Sequence, residues 1–251
     1  MTAITPGTVL VTFLVFCRIG GCLMLMPGFG SARIPMQVRL FLAVSVTLAL
    51  APLLIPVVEG DLAKATVPTV VQLIVSETLI GAMFGVMARI FFLALQFMGT
   101  AASMLVGFSG MADAPIEENE PAPAIATLLT LTATVLLFAT GLHVEVMRAL
   151  VGSYSVLTVS DFFNPQFALA KVVDSASDAF ILVAQLLAPY LAYSLIINFL
   201  FGIMNKMTPL IPVYFISAPF VMAGGLLLLY FTFSEALTLF LSGFQMFLAN
   251  G

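Results

Sequence analysis

Six apolar runs, at about residues 8–26, 38–58, 67–105, 122–150, 174–204 and 210–248, take up most of the chain. About 20 apolar residues in a helix cross the hydrocarbon layer of a bilayer. The runs are continuous, without the sustained alternation that a lipid-facing barrel strand needs. They predict an all-α membrane protein with about six hydrophobic segments. Composition agrees. The chain is 62% hydrophobic and 8% charged, where soluble domains run about 45–50% apolar and about 25% charged. A net charge of −4 rests on few groups and gives no sign of a nucleic-acid partner.

Three runs are longer than one crossing requires. The run at 67–105 has almost enough residues for two. The run at 210–248 contains Pro212, Pro219 and the pair Gly224-Gly225, and reads as a helical hairpin. Pro189 interrupts the run at 174–204. Proline removes a backbone donor and kinks a helix, so Pro189 and Pro219 are expected kinks. No Lys or Arg precedes the first run, as a secretory signal would require. The expectation is that no cleaved leader is present.

The basic residues do not orient the chain. With six spans, the odd loops hold Arg33, Arg39 and Lys206; the even loops hold Lys64 and Lys171, with Arg148 at a border. A simple lipid-inserted bundle shows a clear bias of Lys and Arg to one side. Its absence fits a chain enclosed by other proteins.

Charges also fall inside the apolar runs: Arg18, Glu77, Arg89, Glu145, Arg148 and Glu235, together with the single histidine, His143. Each charge at a bilayer centre costs about 2.5–3.5 kcal/mol on insertion scales. Arg18 has no acid nearer in sequence than Glu59, so its partner must come from another segment or another chain. Glu77 and Arg89 lie twelve residues apart, about 18 Å along a helix, too far to pair. Arg18 and Glu77 are read as buried against protein. Glu145 and Arg148, three apart, can pair locally, and Arg148 can simply end its helix. Glu77, Gly81, Gly85 and Arg89 form one i+4 ridge, and Gly81 with Gly85 makes a small-xxx-small pair suited to close helix packing.

Catalytic signals are sparse. One histidine excludes HExxH, and neither a Walker loop nor a G-x-S-x-G elbow is present. Cys17 and Cys22 are five apart, about 140° around a helix axis, a poor disposition for a disulfide, and their spacing is not that of a zinc site. No cofactor or metal ligand set is expected. The one long polar stretch, GFSGMADAPIEENEPAP from Gly107 to Pro123, has a glycine-rich start and an acidic, proline-broken end. By composition alone it is a solvated connector.

Several stretches in order resemble the flagellar type III export gate R subunit, the FliR family. They are CRIGG from Cys17, PGFGSARIP from Pro27, QVRLFLAVSVTLALAP from Gln37, ETLIG from Glu77 with Gly85 and Arg89, LLFATGLH ending at His143, APYL from Ala188, GIMNKMTP from Gly202 and VYFISAP from Val213. Lys206 stands where the family usually has Arg, and EENEPAP replaces a shorter Asp-Pro sequence.

The resemblance implies a single membrane domain over residues 1–251: N-terminal helical segments (1–106), a plug-like loop (107–123) and C-terminal helical hairpins (124–251). It implies a non-enzymatic pore subunit that joins FliP and FliQ, associates with FlhB and FlhA, and passes unfolded flagellar proteins across the bacterial inner membrane at the flagellar basal body. The plug maps to Gly107, Phe108, Ser109, Gly110, Met111, Ala112 and Asp113, with Phe108 and Met111 as sealing side chains. Arg18, Glu77, Arg89 and His143 become buried charges at subunit contacts, and the assembly is expected to supply the partner of Arg18. Two other readings are an injectisome T component of the same architecture and a secondary transporter using Glu77, Arg89 and His143 as an ion path.

Overall fold

The structure, a computed structural model, describes residues 6–31, 34–59, 66–108, 123–159, 162–208 and 213–250. Among the described residues the secondary structure is helical throughout, with no strand. The elements are α1 (Pro6–Leu25), α2 (Met36–Glu59), α3 (Val67–Val106), α4 (Ala124–Ala139), α5 (Leu142–Gly152), a 3-10 turn (Ser153–Ser155), α6 (Pro165–Met207) and α7 (Val213–Asn250). Five helices are long and apolar enough to cross a membrane, and the broken pair α4–α5 makes a sixth candidate. The chain is an all-α membrane protein.

Helix continuity departs from the expectation at two places. The run at 67–105 is one helix of 40 residues, and residues 213–248 of the run at 210–248 lie in one helix of 38, Pro212 lying outside the described residues. Neither is a hairpin. α6 likewise runs 43 residues through Pro189, and α7 runs through Pro219. Proline deletes one hydrogen bond, whereas leaving the helix exposes a whole turn of backbone groups with no water to satisfy them. A break between helices falls at Gly141, between α4 and α5, where φ is +74°. Glycine takes this left-handed conformation without the Cβ penalty.

The chain forms two compact units. The first comprises residues 1–91, 138–176 and 247–251. Its core joins Leu14, Ile19, Leu23 and Met26 of the N-terminal region, Ala43, Ala51 and Leu54 of α2, and Leu142, Val146 and Leu150 of α5. Phe29 meets Phe138 edge to face at 5.1 Å, and Phe138 in turn lies 5.1 Å from the His143 ring.

The second unit comprises residues 92–137 and 177–246. Phe92 packs edge to face on Phe240 at 5.2 Å. The Tyr190 and Thr232 hydroxyls share a 2.7 Å hydrogen bond, and Tyr193 donates to the Val221 carbonyl at 2.7 Å, tying α6 to α7. Gly224 and Gly225 are packing seats: a Cβ on Gly224 would lie 2.5 Å from the Tyr193 hydroxyl, and one on Gly225 would overlap Val106. Gly99 gives α3 a similar close approach to Ala126 of α4.

Large apolar side chains remain outside these cores. Phe199 is 70% exposed and Phe220 76%. At 1.5 Å per residue, α3, α6 and α7 each have a contour of about 60 Å, roughly twice the hydrocarbon thickness of about 30 Å.

Candidate functional site: a sealed ion-pair cage in the first unit

The local sequence explains why a cage forms. In CRIGG, Arg18 precedes two glycines; in ETLIG, Glu77 stands four residues before Gly81. A Cβ on Gly81 would overlap the Arg18 carbonyl, one on Gly21 would lie 2.6 Å from the Thr78 carbonyl, and one on Gly85 would lie 2.6 Å from the Cys22 carbonyl. Small residues on both helices thus bring the α1 and α3 backbones into direct contact, the packing mode used where lipid gives no hydrophobic drive. At that separation Arg18 and Glu77 lie on the same seam.

The two side chains meet fork to fork. Arg18 Nε donates to Glu77 Oε2 at 2.6 Å and Nη2 donates to Oε1 at 2.7 Å. Nη1 donates to Ser153 Oγ at 3.0 Å, and Nη2 also donates to the Leu157 carbonyl at 3.1 Å. Four of the five guanidinium N–H donors are therefore engaged. The guanidinium carbon lies 3.7 Å from the centroid of the Tyr154 ring, a cation–π contact. The Tyr154 hydroxyl lies 3.4 Å from Glu77 Oε2, the far edge of hydrogen bonding. Ser153 passes the polarity back to the fold, donating to the Leu150 carbonyl at 2.6 Å.

Arg18 and Glu77 have no solvent-exposed surface. In a low dielectric, an isolated charge is prohibitive and a fully bonded pair is tolerated. The partner of Arg18 is thus a residue of the same chain, and the expectation that the assembly supplies it is corrected. The close glycine seam makes this possible, because it delivers α3 to within reach of a side chain on α1. The cage holds no exposed nucleophile or open coordination position. It neutralises charge and pins three elements together.

The other charges behave differently. Arg89 is exposed on α3, and His143 is half-buried with its ring against Phe138. Among the described residues no element covers the outer face of α3 at Arg89, so Arg89 is not buried within the described part of the chain. Glu145 and Arg148 form an exposed pair on α5. Glu235 is exposed on α7. Among the described residues no group of three or more His, Cys, Asp or Glu converges on one point.

Sequence reasoning missed Ser153, Tyr154 and the Leu157 carbonyl. The signal was present: GSYS, from Gly152, is a polar interruption directly after an apolar helix. Of the plug stretch, Gly107 ends α3 with φ +87°, and its N–H donates to the Met104 carbonyl at 3.2 Å. Phe108 follows it half-buried. Ser109, Gly110, Met111, Ala112 and Asp113 lie outside the described residues.

Long apolar helices, two of them locked by an internal ion pair, with apolar side chains left exposed, define an all-α membrane protein. The family of bacterial export proteins, family 1, matches residues 9–247. The flagellar biosynthetic protein FliR of Caulobacter vibrioides is 32% identical over 231 residues, covering 90% of this chain and 89% of the relative. Its counterpart in Aquifex aeolicus is 25% identical, covering 91% of this chain and 88% of the relative. That of Escherichia coli is 23% identical, covering 81% and 76%. The chain belongs to the FliR family of bacterial export proteins.

Proposed function

We propose that the chain is a non-enzymatic, pore-forming subunit of the flagellar protein export gate in the bacterial inner membrane, at the flagellar basal body. In this reading it assembles with FliP and FliQ, associates with FlhB and FlhA, and passes unfolded flagellar proteins during flagellum construction. The observation that carries the proposal is apolar surface in excess of what lipid can cover. α3, α6 and α7 have contours of about 60 Å, and the most apolar window of α7 is only 11% buried by the chain itself. Hydrophobic helix beyond the bilayer needs a protein cover.

Membership in the export family supports an export role over solute transport. The Glu77 carboxylate also fits a transporter poorly. It is sealed against Arg18 with no exposed surface, so no aqueous path reaches it. The relatives are flagellar proteins, which favours the flagellar gate over an injectisome.

The test is co-expression with the FliP-like and FliQ-like proteins of the same organism, followed by native mass measurement of the detergent extract. A complex containing all three, with the chain unstable when expressed alone, is the expected result. A stable free monomer that recruits neither overturns the proposal.

A further inference from the structure

Arg89 lies within an apolar run and, like Glu235, is exposed on its helix. Among the described residues it has no hydrogen bond or ion pair, in contrast to Arg18. It stands on a stripe of outward-facing positions at helical spacing along α3: Val75, Leu79, Val86, Arg89, Leu93 and Phe97. Val75 is 54% exposed, Leu93 50% and Phe97 58%. The residues beside it on the inner face, Met87, Ala88 and Phe91, are buried.

A lipid headgroup does not satisfy this geometry. The exposed apolar stripe reaches Val71 in one direction and Met104 in the other, about 27 Å and about 22 Å from Arg89 along the axis. Placing a bilayer edge at Arg89 would strand one of these stretches in water. The cover must be apolar on both sides of Arg89 and anionic at its level. A helix from another protein, carrying one carboxylate within an apolar face, meets both requirements.

The geometry points to Arg89 as the residue that fixes register in a helix–helix interface, pairing with an Asp or Glu on an apolar helix of a neighbouring subunit. This rests on the reading of the chain as one subunit of a multi-chain gate. A desolvated ion pair set in an apolar seam discriminates strongly between partners and between registers, because a wrong register leaves a charge unpaired.

The experiment uses the full chain co-expressed with its FliP-like and FliQ-like proteins. Arg89→Lys, Arg89→Met and Arg89→Glu are compared by yield of co-purified complex, and a benzophenone side chain is placed at Val86 or Leu93 for photo-crosslinking. Arg89→Glu is expected to lower the yield about tenfold or more, the scale of a buried pair turned repulsive. Arg89→Met should fall between, and Arg89→Lys should stay near wild type. The crosslinks should map to a partner helix near a carboxylate, and changing that carboxylate to Lys should restore Arg89→Glu.

Wild-type yield with Arg89→Glu, crosslinks to lipid alone, or failure of the charge reversal to restore assembly each overturns the inference. Arg89→Met adds no new charge, so it keeps the test decisive if Arg89→Glu fails to insert. A wild-type chain that recruits neither protein removes the gate reading and this inference together. A wild-type chain that recruits both, with Arg89→Glu equally competent, removes only this inference.

Discussion

Gly81 of α3 lies so close beneath the Arg18 carbonyl of α1 that a Cβ there would overlap it. The glycines are therefore part of the ion-pair cage, since they set the distance across which Arg18 reaches Glu77. Gly81→Ala should push the helices apart, with a destabilisation of about 1–3 kcal/mol, the usual range for overpacking. Gly21→Ala should act similarly, because its Cβ would face the Thr78 carbonyl at 2.6 Å. The adjacent Gly20 is the control. A Cβ there meets only the Phe16 ring at 3.9 Å, an ordinary contact, so Gly20→Ala should be neutral. Thermal melts of the detergent-extracted complex measure the difference. Equal effects of Gly20→Ala and Gly21→Ala would show that backbone proximity is not what matters.

The cage itself should respond asymmetrically to single and double changes. Glu77→Gln leaves the guanidinium without its counter-charge in a site with no solvent, and about 3–5 kcal/mol of stability should go with it. Arg18→Lys should also be poorly tolerated, because an ammonium can neither make the two-pronged contact nor stack on Tyr154 in the same way. Arg18→Met combined with Glu77→Met should be milder than either single change, since an apolar pair replaces a buried ion pair at little cost. Tyr154→Phe keeps the ring beneath the cation and should be mild; Tyr154→Leu should lose about 0.5–2 kcal/mol. Chemical-denaturation midpoints of the complex rank the series. A double change as damaging as the sum of the singles would show that the two residues do not act as a pair.

The helical segments were legible because hydropathy alone fixes where a chain can enter lipid. The run at 38–58 became Met36–Glu59, and the run at 67–105 became Val67–Val106. Continuity was less legible. Pro219 and Gly224-Gly225 read as a break because their local propensities oppose helix, yet α7 continues through them. At Gly224 and Gly225 the small residues serve packing, since Tyr193 and Val106 occupy the space that the missing side chains leave, and at Pro219 leaving the helix would expose more backbone than the one hydrogen bond that proline deletes. The burial demanded by Arg18 and Glu77 could be read from the penalty of charge in lipid. Their pairing with each other could not, because 59 residues separate them and nothing in one sequence sets the distance between α1 and α3. Arg89 has the same sequence environment as Glu77, an apolar run with glycines nearby, but the opposite exposure. Only which face of α3 meets α1 decides between them.

Gly225 offers a test of the second unit on its own. A Cβ at this position would overlap the Val106 side chain, so Gly225→Ala should destabilise by about 1–3 kcal/mol. Trimming the neighbour should relieve it: Gly225→Ala with Val106→Ala should be less harmful than Gly225→Ala alone. The interaction energy from the double-mutant cycle is the quantity to measure. Strict additivity would mean that the two residues are not in contact in the assembled protein.

The stretch from Gly107 to Asp113 begins where α3 stops. Gly107 has φ +87°, a conformation in which a β-branched side chain is strained, and nothing lies within 4 Å of where a Cβ would stand. Gly107→Val should therefore act through backbone direction, changing how the chain leaves α3, without any side-chain clash. If residues 107–113 seal a pore, as the family resemblance implies, redirecting or shortening them should make the membrane leaky to small ions without dissolving the complex. Replacing Phe108 and Met111 by glycine should do the same by removing the apolar bulk of the seal. Ion leakage from cells or vesicles containing the complete gate is the measurement, with subunit co-purification as the control for assembly. A gate that assembles fully and remains tight in all three variants would show that these residues form a connector and that closure is made elsewhere in the chain or by its partners.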